Sequence, residues 1–331
     1  MMVHPTRHAP RRALAVVLGS LLVAGLALLA VGCSESLGAP GIGSSAQTTD
    51  ALAILPNDAD VYGMTNLAAA RESQALEAAL GESGLGMVTG RGSADFDEFV
   101  RLTGFDPSQD LDRVYVAGRE GADGGAFVAY GRFDRTRIEQ FIADQEDVAF
   151  EVTDVDGLPV YLATDDDGTR GGFALVNNEM VIAGDEATLR QMLARVGATT
   201  FSPDAELQAL FDRVAYPDGA WFVARGFGDG MQIPDDAPPS AMAARAADGF
   251  VVSMSFEQGG IPVRAFLATK PQASTDDVAD VVRGGISAAR IGLKDQPEAL
   301  DVLDDVDVNA EAEGVAITGF LTPDFLALTN R

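Results

Sequence analysis

The side chains most often used in covalent and metal chemistry are confined to the first 33 residues of this 331-residue chain. Cys33 is the single cysteine, and the two histidines are His4 and His8. Beyond position 33 the sequence therefore offers neither a thiol nor an imidazole. This excludes Ser-His-Asp and Cys-His catalysis there, and it excludes zinc sites built from Cys and His.

Cys33 lies where the longest apolar run of the chain ends. Residues 13–31 are apolar except for two glycines and a serine, and Arg7, Arg11 and Arg12 precede them. A basic start followed by an apolar core is typical of an export signal. The run also approaches the ~20 residues that a transmembrane helix needs. In either case the basic flank predicts that the chain after Cys33 lies outside the membrane.

The residues Ala30-Val31-Gly32-Cys33 resemble the lipobox of prokaryotic lipoproteins, in which small residues precede a cysteine that is lipidated and becomes the new N-terminus. The resemblance implies that residues 1–32 are a signal peptide and that Cys33 carries the lipid. A buried free thiol is the alternative, but the polar Ser34-Glu35-Ser36 beside it disfavours burial. The Arg11-Arg12 pair also fits twin-arginine export, so the export route stays open.

Carboxylates are the most abundant chemistry-bearing side chains, with 50 Asp and Glu against 23 Lys and Arg. Asp165, Asp166 and Asp167 lie at a predicted hairpin tip and form a weak candidate metal site. They are not an EF-hand, because two required ligand positions hold Ala163 and Ala174. Two carboxylates at a suitable distance could hydrolyse glycosidic bonds without a histidine, although the sequence selects no pair.

The charge balance limits the partners that the protein can bind. The net charge is −27 at pH 7, and it becomes −30 once the three signal arginines are removed. Such a surface repels nucleic acid and anionic lipid head groups, so no nucleic-acid partner is expected. The acidic, lysine-poor composition is similar to that of proteins from salt-loving prokaryotes, where salt screens self-repulsion. The expected partners are the membrane, through the N-terminal lipid, and other envelope proteins.

Apolar periodicity predicts several helices. Leu189, Met192 and Leu193 have helical spacing, and Leu207, Leu210 and Phe211 repeat it. Ser202-Pro203, Thr322-Pro323 and Ser274 with Asp277 are typical helix starts. The Gly- and Ser-rich residues 33–49 have no such period, so they are predicted to form a flexible tether.

The predicted elements occur in the same order in two halves of the chain. Each half has a strand, a variable insert, two strands, a helix, a strand and a helix. Turn residues such as Asp156-Gly157 join neighbouring strands, which favours antiparallel hairpins. We therefore predict an α+β fold with a mainly antiparallel sheet and helices packed on one face. Its two similar repeats are expected at residues 50–200 and 201–331, packed together.

An irregular stretch at residues 226–244 separates two predicted strands, and it is the best candidate for partner binding. It places Met231, Ile233 and Met242 beside Pro and Gly, and such loops often contact partners. A simple connector is the alternative. Trp221 lies in a continuous apolar run, which favours core packing over ligand stacking.

Three segments resemble exported proteins of bacteria and haloarchaea that have no assigned activity. They are LPNDADV at residues 55–61, TGFDP at 103–107 with DLD at 110–112, and VVRGG at 281–285. The resemblance covers most of the chain from about residue 51. It implies the fold and the extracytoplasmic location, and it carries over no catalytic residue and no cofactor.

The sequence thus predicts a lipid-anchored protein of the cell envelope with a non-catalytic binding or structural role and no cofactor. A histidine-free hydrolase that uses two carboxylates is the alternative. A deep cleft with two inward-facing carboxylates would favour the enzyme, whereas a shallow acidic surface would favour the binding or structural role.

Overall fold

The computed structural model describes residues 46–73, 94–119, 124–144, 150–164, 168–226, 245–294 and 297–328. The helices of this part of the chain are α1 (Ala46–Ile54), α2 (Leu67–Glu72), α3 (Ala94–Thr103), α4 (Pro107–Asp110), α5 (Arg135–Ala143), α6 (Glu186–Leu193), α7 (Ala205–Phe211), α8 (Thr275–Gly292), α9 (Pro297–Asp304) and α10 (Pro323–Leu328). None of these ten helices is long and apolar enough to cross a membrane.

The strands of the described residues are β1 (Val61–Asn66), β2 (Leu111–Gly118), β3 (Gly125–Gly131), β4 (Glu151–Val155), β5 (Leu158–Thr164), β6 (Arg170–Leu175), β7 (Met180–Asp185), β8 (Ala220–Arg225), β9 (Ala247–Met254), β10 (Ile261–Thr269), β11 (Asp307–Glu311) and β12 (Gly314–Leu321). They form one sheet in the order β11-β12-β10-β9-β8-β1-β2-β3-β7-β6-β5-β4. Every neighbouring pair is antiparallel. The predicted α+β class with an antiparallel sheet is confirmed.

The pair of β1 with β8 joins the two sides of the sheet, and Gly63 lies opposite Phe222 there. From this pair outward, the first side has the order β1-β2-β3-β7-β6 and the second has β8-β9-β10-β12-β11. A helix follows the third strand on each side, α5 after β3 and α8 after β10. The first side then continues with the hairpin of β5 and β4. The element order therefore repeats, and the hairpin is an addition to the first side.

Two strands form the edges of the sheet, β4 on the first side and β11 on the second. Each carries acidic residues, Glu151 and Asp154 in β4 and Asp307 and Glu311 in β11. The predicted turn before β5 is confirmed, because Asp156 and Gly157 have φ angles of 54° and 83°. Both angles lie in the left-handed region that two-residue hairpin turns require.

Side chains of β8 alternate between two faces of the sheet, which we name the Trp221 face and the Phe222 face. Helices α1, α6 and α7 cover the Trp221 face, and their buried side chains include Leu52, Ile54, Leu189, Met192, Leu207 and Phe211. The Phe211 ring lies 5.4 Å from the Tyr62 ring and 5.8 Å from the Trp221 ring, centroid to centroid. The predicted helical stripes and the predicted core position of Trp221 are therefore confirmed.

Six other helices pack against the Phe222 face. Their contacts include Ala70 of α2, Phe99 of α3, Ile138 of α5, Val278 of α8, Val302 of α9 and Leu326 of α10. Helices thus lie on both faces, whereas the sequence analysis expects them on one. The reason is visible in β8, whose sequence AWFVAR is apolar on both sides. Both faces of such a strand have to be covered by other elements.

Two expected boundaries differ in the structure. Helix α7 begins after Asp204, whose Oδ1 accepts from the Leu207 amide at 2.9 Å, so the expected start at Ser202-Pro203 is wrong. Helix α1 begins at Ala46, inside the segment expected as tether. Its Thr48 is fully buried and shares a 3.0 Å hydrogen bond with the Tyr115 hydroxyl. By contrast, the expected helix starts at Ser274 and Thr322 are confirmed.

Candidate functional site

An open depression lies on the Trp221 face, where α7 passes over β9 and β10. Its volume is about 290 Å³. It is lined by Glu206, Ala209, Leu210, Arg213, Asp248, Gly249, Phe266, Ala268 and Glu313. Helix α7 supplies Glu206, Ala209 and Leu210. Its apolar stripe faces the sheet, so Glu206 lies on the exposed side of the helix.

Arg213 is the only cation of this lining. Its guanidinium carbon lies 4.1 Å from the centroid of the Phe266 ring, and its Nη2 lies 3.1 Å from Oε2 of Glu313. Nη1 pairs with Glu311 of β11. Because the Arg213 side chain is only 30% exposed, these contacts hold the positive charge against the apolar wall.

The backbone fixes the carboxylates at the rim of the depression. The Gly226 amide donates to the Asp248 carbonyl at 2.7 Å, and the Thr269 amide donates to the Glu313 carbonyl at 3.0 Å. Gly226 also marks the last described residue before 227–244. The depression therefore lies beside the base of the loop that the sequence analysis selects for partner binding.

The carboxylates of this depression suit the binding of a cationic group. Glu206, Asp248 and Glu313 attract positive charge, whereas Leu210 and Phe266 are buried beneath them in the core. A binding group could replace Arg213 at Glu313, because that ion pair is exposed at its carboxylate end. In the described part of the chain, no three His, Cys, Asp or Glu side chains are grouped to hold a metal ion.

The LPNDADV segment leads into β1 and is held by arginines from other elements. Arg225 of β8 pairs with Asp60 at 3.1 Å and with Asp204, and Arg119 pairs with Asp58. The Leu207 amide, followed by Arg225, holds the pKa of Asp204 below its ordinary value, although burial opposes this. The Arg119 hydrogen bond likewise lowers the pKa of Asp58. Asp60 thus ties the start of β1 to β8, and Asp58 ties it to the end of β2.

The TGFDP and DLD segments also have structural contacts. Asp106 caps α4 through the Ser108 amide at 2.9 Å, and Asp110 accepts from the Asp106 amide at 2.8 Å. Arg71 of α2 reaches Asp112 at 2.8 Å. These residues fix the turn before β2 and connect it to α2, which accounts for the motif without a ligand.

Two buried tyrosines, Tyr62 of β1 and Tyr161 of β5, belong to the first side of the sheet. Burial raises the pKa of Tyr62 to about 12, and burial together with Glu139 raises the pKa of Tyr161 to about 12. Both phenols are therefore protonated at neutral pH. Tyr62 donates to the Pro56 carbonyl and Tyr161 donates to Glu139, so these hydroxyls are fixed by acceptors within the fold.

The site residues predicted from sequence all lie outside the described residues. They are Cys33, the aspartates Asp165, Asp166 and Asp167, and the loop residues Met231, Ile233 and Met242. The depression around Arg213 was missed by the sequence analysis. Its residues come from α7, β9, β10 and the turn before β12, and the sequence alone does not bring these elements together.

A scan against protein-family models and a search of curated proteins both find no match. Among solved structures, the fold is similar to "Structure of crystal form III of TP0453", with a TM-score of 0.50 and 10% sequence identity. The match covers 85% of this chain and 97% of that chain. "Structure of crystal form IV of TP0453" matches with a TM-score of 0.48 and 10% identity, over 85% of this chain and 96% of that chain. At this identity the likeness concerns the fold alone.

Proposed function

We propose that this protein is anchored by a lipid on Cys33 to the extracytoplasmic side of a membrane of the cell envelope. Its domain has a non-catalytic role there, in which it binds or supports other envelope proteins. The N-terminal sequence supports the anchor, because an apolar run of signal type ends in Ala30-Val31-Gly32-Cys33.

The position of α1 is the observation that carries this proposal. Only residues 34–45 separate Cys33 from the start of α1 at Ala46. Ala51, Leu52, Ile54 and Leu55, in and directly after α1, are buried in the central cluster of the Trp221 face. A fully extended tether of this length spans roughly 40 Å. The lipid would therefore hold a folded domain close to the membrane, because its attachment leads straight into the core.

The depression supports binding over catalysis. It is open, its Glu313 side chain is 75% exposed, and that carboxylate is paired with Arg213. A carboxylic acid that donates a proton in hydrolysis needs a raised pKa, which burial in an apolar site would provide. Among the residues that the structure describes, the acids with clearly shifted pKa values are Asp58, Asp185 and Asp204, and all three are shifted downward. An envelope partner with a cationic segment matches these carboxylates.

The charge of the chain suggests that this protein works at high ionic strength. At a net charge near −30, self-repulsion in the folded domain falls as the Debye length shortens from ~30 Å at 0.01 M salt to ~10 Å at 0.1 M. We expect the melting temperature to rise with NaCl concentration. An unchanged melting temperature between dilute buffer and molar salt would contradict this part of the proposal.

The anchor is tested with Cys33→Ser, with Ser34→Ala as the matched control. We expect Cys33→Ser to be released from washed membranes or to keep residues 1–32, and Ser34→Ala to behave as the natural chain. Mass spectrometry of the mature N-terminus should find a lipid-modified Cys33. An unmodified chain that retains residues before Cys33 would refute the lipid anchor.

A further inference from the structure

The side chain of Arg213 occupies the depression in the way that a bound cation would. Its guanidinium carbon lies 4.1 Å from the centroid of the Phe266 ring. Nη1 pairs with Glu311, and Nη2 lies 3.1 Å from Oε2 of Glu313. One aromatic face and two separate carboxylates thus hold one guanidinium. The chain itself therefore shows which kind of cation this place accepts.

The backbone at Arg213 is fixed without the help of this side chain. The Arg213 amide donates to the Leu210 carbonyl at 3.0 Å, and the Val214 amide donates to the Phe211 carbonyl at 3.1 Å. Leu210, Phe211 and Val214 are buried in the central cluster of the Trp221 face. The turn after α7 thus has its own hydrogen bonds and apolar contacts. The guanidinium can leave the depression by rotation of its side chain alone.

The contacts of the Arg213 guanidinium are of a kind that exchanges easily. The Arg213 side chain is 30% exposed, and the side chains of Glu311 and Glu313 are 40% and 75% exposed. Ion pairs at such positions contribute little to stability, because water competes for both charges. Glu206 and Asp248 line the same depression as Glu313. Three lining carboxylates face one cation, so an incoming cation is attracted even while Arg213 is in place.

We propose that Arg213 is an internal competitor for an arginine side chain of the partner, which takes its place when Arg213 rotates out. This inference rests on the proposed function, because it specifies how a cationic envelope partner binds. A planar guanidinium donates to two carboxylates at once and stacks on a ring, whereas the ammonium of lysine is a point charge. The depression therefore selects arginine over lysine, and Arg213 sets the affinity.

The first test measures the binding of acetylated, amidated tri-arginine and tri-lysine to the full-length chain in non-ionic detergent micelles. Arg213→Ala removes the competitor, so it should bind tri-arginine about fivefold more tightly than the natural chain and gain less for tri-lysine. Arg101→Ala is the control, because it removes an equal charge from a 66%-exposed side chain of α3 on the Phe222 face. This control should change binding by less than about twofold at fixed ionic strength.

A variant with partial function guards against loss of folding in the first test. The melting temperature of each variant is measured before binding. Arg213→Lys keeps the positive charge but not the planar fork, so it should give a smaller gain for tri-arginine than Arg213→Ala. It takes the place of Arg213→Ala if that variant does not fold.

The second test adds Glu313→Gln to Arg213→Ala. The Glu313 side chain is 75% exposed, so the loss of its charge should leave the fold intact, and the affinity for tri-arginine should return to that of the natural chain. Equal affinity of Arg213→Ala and the natural chain, or an equal gain for both peptides, would overturn the exchange but not a cationic partner at Glu206 and Asp248. If neither peptide binds to any variant, the exchange and the cationic partner both fail.

Discussion

The helices that follow the third strand on the two sides of the sheet differ twofold in length. Helix α5 has nine residues and α8 has eighteen. Both pack on the Phe222 face, α5 through Ile138 and Ile142 and α8 through Val278 and Ala279. Nine residues therefore suffice to cover the sheet at this position. The second half of α8 instead contacts α9, because Arg290 donates to the Leu303 carbonyl at 2.6 Å and pairs with Asp304 at 3.0 Å.

The first side has an addition of a different kind. After α5 its chain forms the hairpin of β4 and β5, which widens the sheet by two strands. The second side has no counterpart of this hairpin among the described residues. Two sides with the same strand order thus differ in what is attached to them.

The largest expected effect comes from a mutation in the buried cluster that both sides of the sheet share. Phe211→Ala removes a buried ring that contacts Tyr62 of the first side and Trp221 of the second. We expect it to lower the free energy of unfolding by about 3–5 kcal/mol, measured by urea denaturation. Unfolding should remain a single transition. The half-exposed Leu102→Ala is the control, and two separated transitions in Phe211→Ala would show that the sides unfold independently.

A second experiment separates the two halves of α8. Val278→Ala deletes two buried methyl groups and should cost about 2 kcal/mol of unfolding free energy. Ile291→Ala shortens an exposed side chain and should change the stability of the monomer by less than about 0.5 kcal/mol. Both are measured at low protein concentration. A large loss from Ile291→Ala would contradict the exposure of this side chain.

A smaller effect is expected from the paired glycines of α8. Gly284→Ala and Gly285→Ala should each raise the free energy of unfolding by roughly 0.5–1 kcal/mol, because glycine is a poor helix former and the added methyl group meets open space. Helix α5 has no glycine at which the same gain could be made. Thermal unfolding measures the change, and destabilisation by either variant would indicate that the helix is strained or covered there.

The smallest effect is expected from Asp204, which pairs with Arg225 of β8 beside the junction of the two sides. The Leu207 amide and Arg225 lower the pKa of Asp204, so its contribution to stability is present above the ordinary pKa of about 4 and is lost as the pH falls through the lower folded value. Asp204→Asn keeps a capping oxygen but cannot titrate. We expect the variant to lose less unfolding free energy than the natural chain between pH 5 and pH 2, measured in urea at constant ionic strength. Parallel curves would contradict this role.

Much of the fold follows from local signals in the sequence. Leu189, Met192 and Leu193 have helical spacing and are buried, and Asp156-Gly157 forms the expected turn. The sequence does not predict helix α1, because its first turn buries the polar Thr48 and exposes Gln47, so that the apolar stripe begins only at Ala51. The start of α7 was misplaced by two residues, since Ser202 and Asp204 are both acceptable caps in sequence.

The candidate site was less predictable than the fold. Arg213, Phe266 and Glu313 meet in space but come from distant parts of the chain, and no local pattern marks any of them. The sequence does indicate Cys33, because export signals and lipoboxes are linear patterns that need no fold. A linear pattern can be recognised from sequence alone, whereas a surface assembled from several strands cannot, and the lipid on Cys33 stays a prediction.

The acidic edge strands have a consequence for the solubility of the folded domain at high concentration. An edge strand presents unpaired backbone groups that can join the sheet of a neighbouring molecule, which is a common start of aggregation. Here Glu151 and Asp154 on one edge, and Asp307 and Glu311 on the other, would bring like charges together in any such joint. The acidic edges thus disfavour edge-to-edge polymerisation of the folded domain.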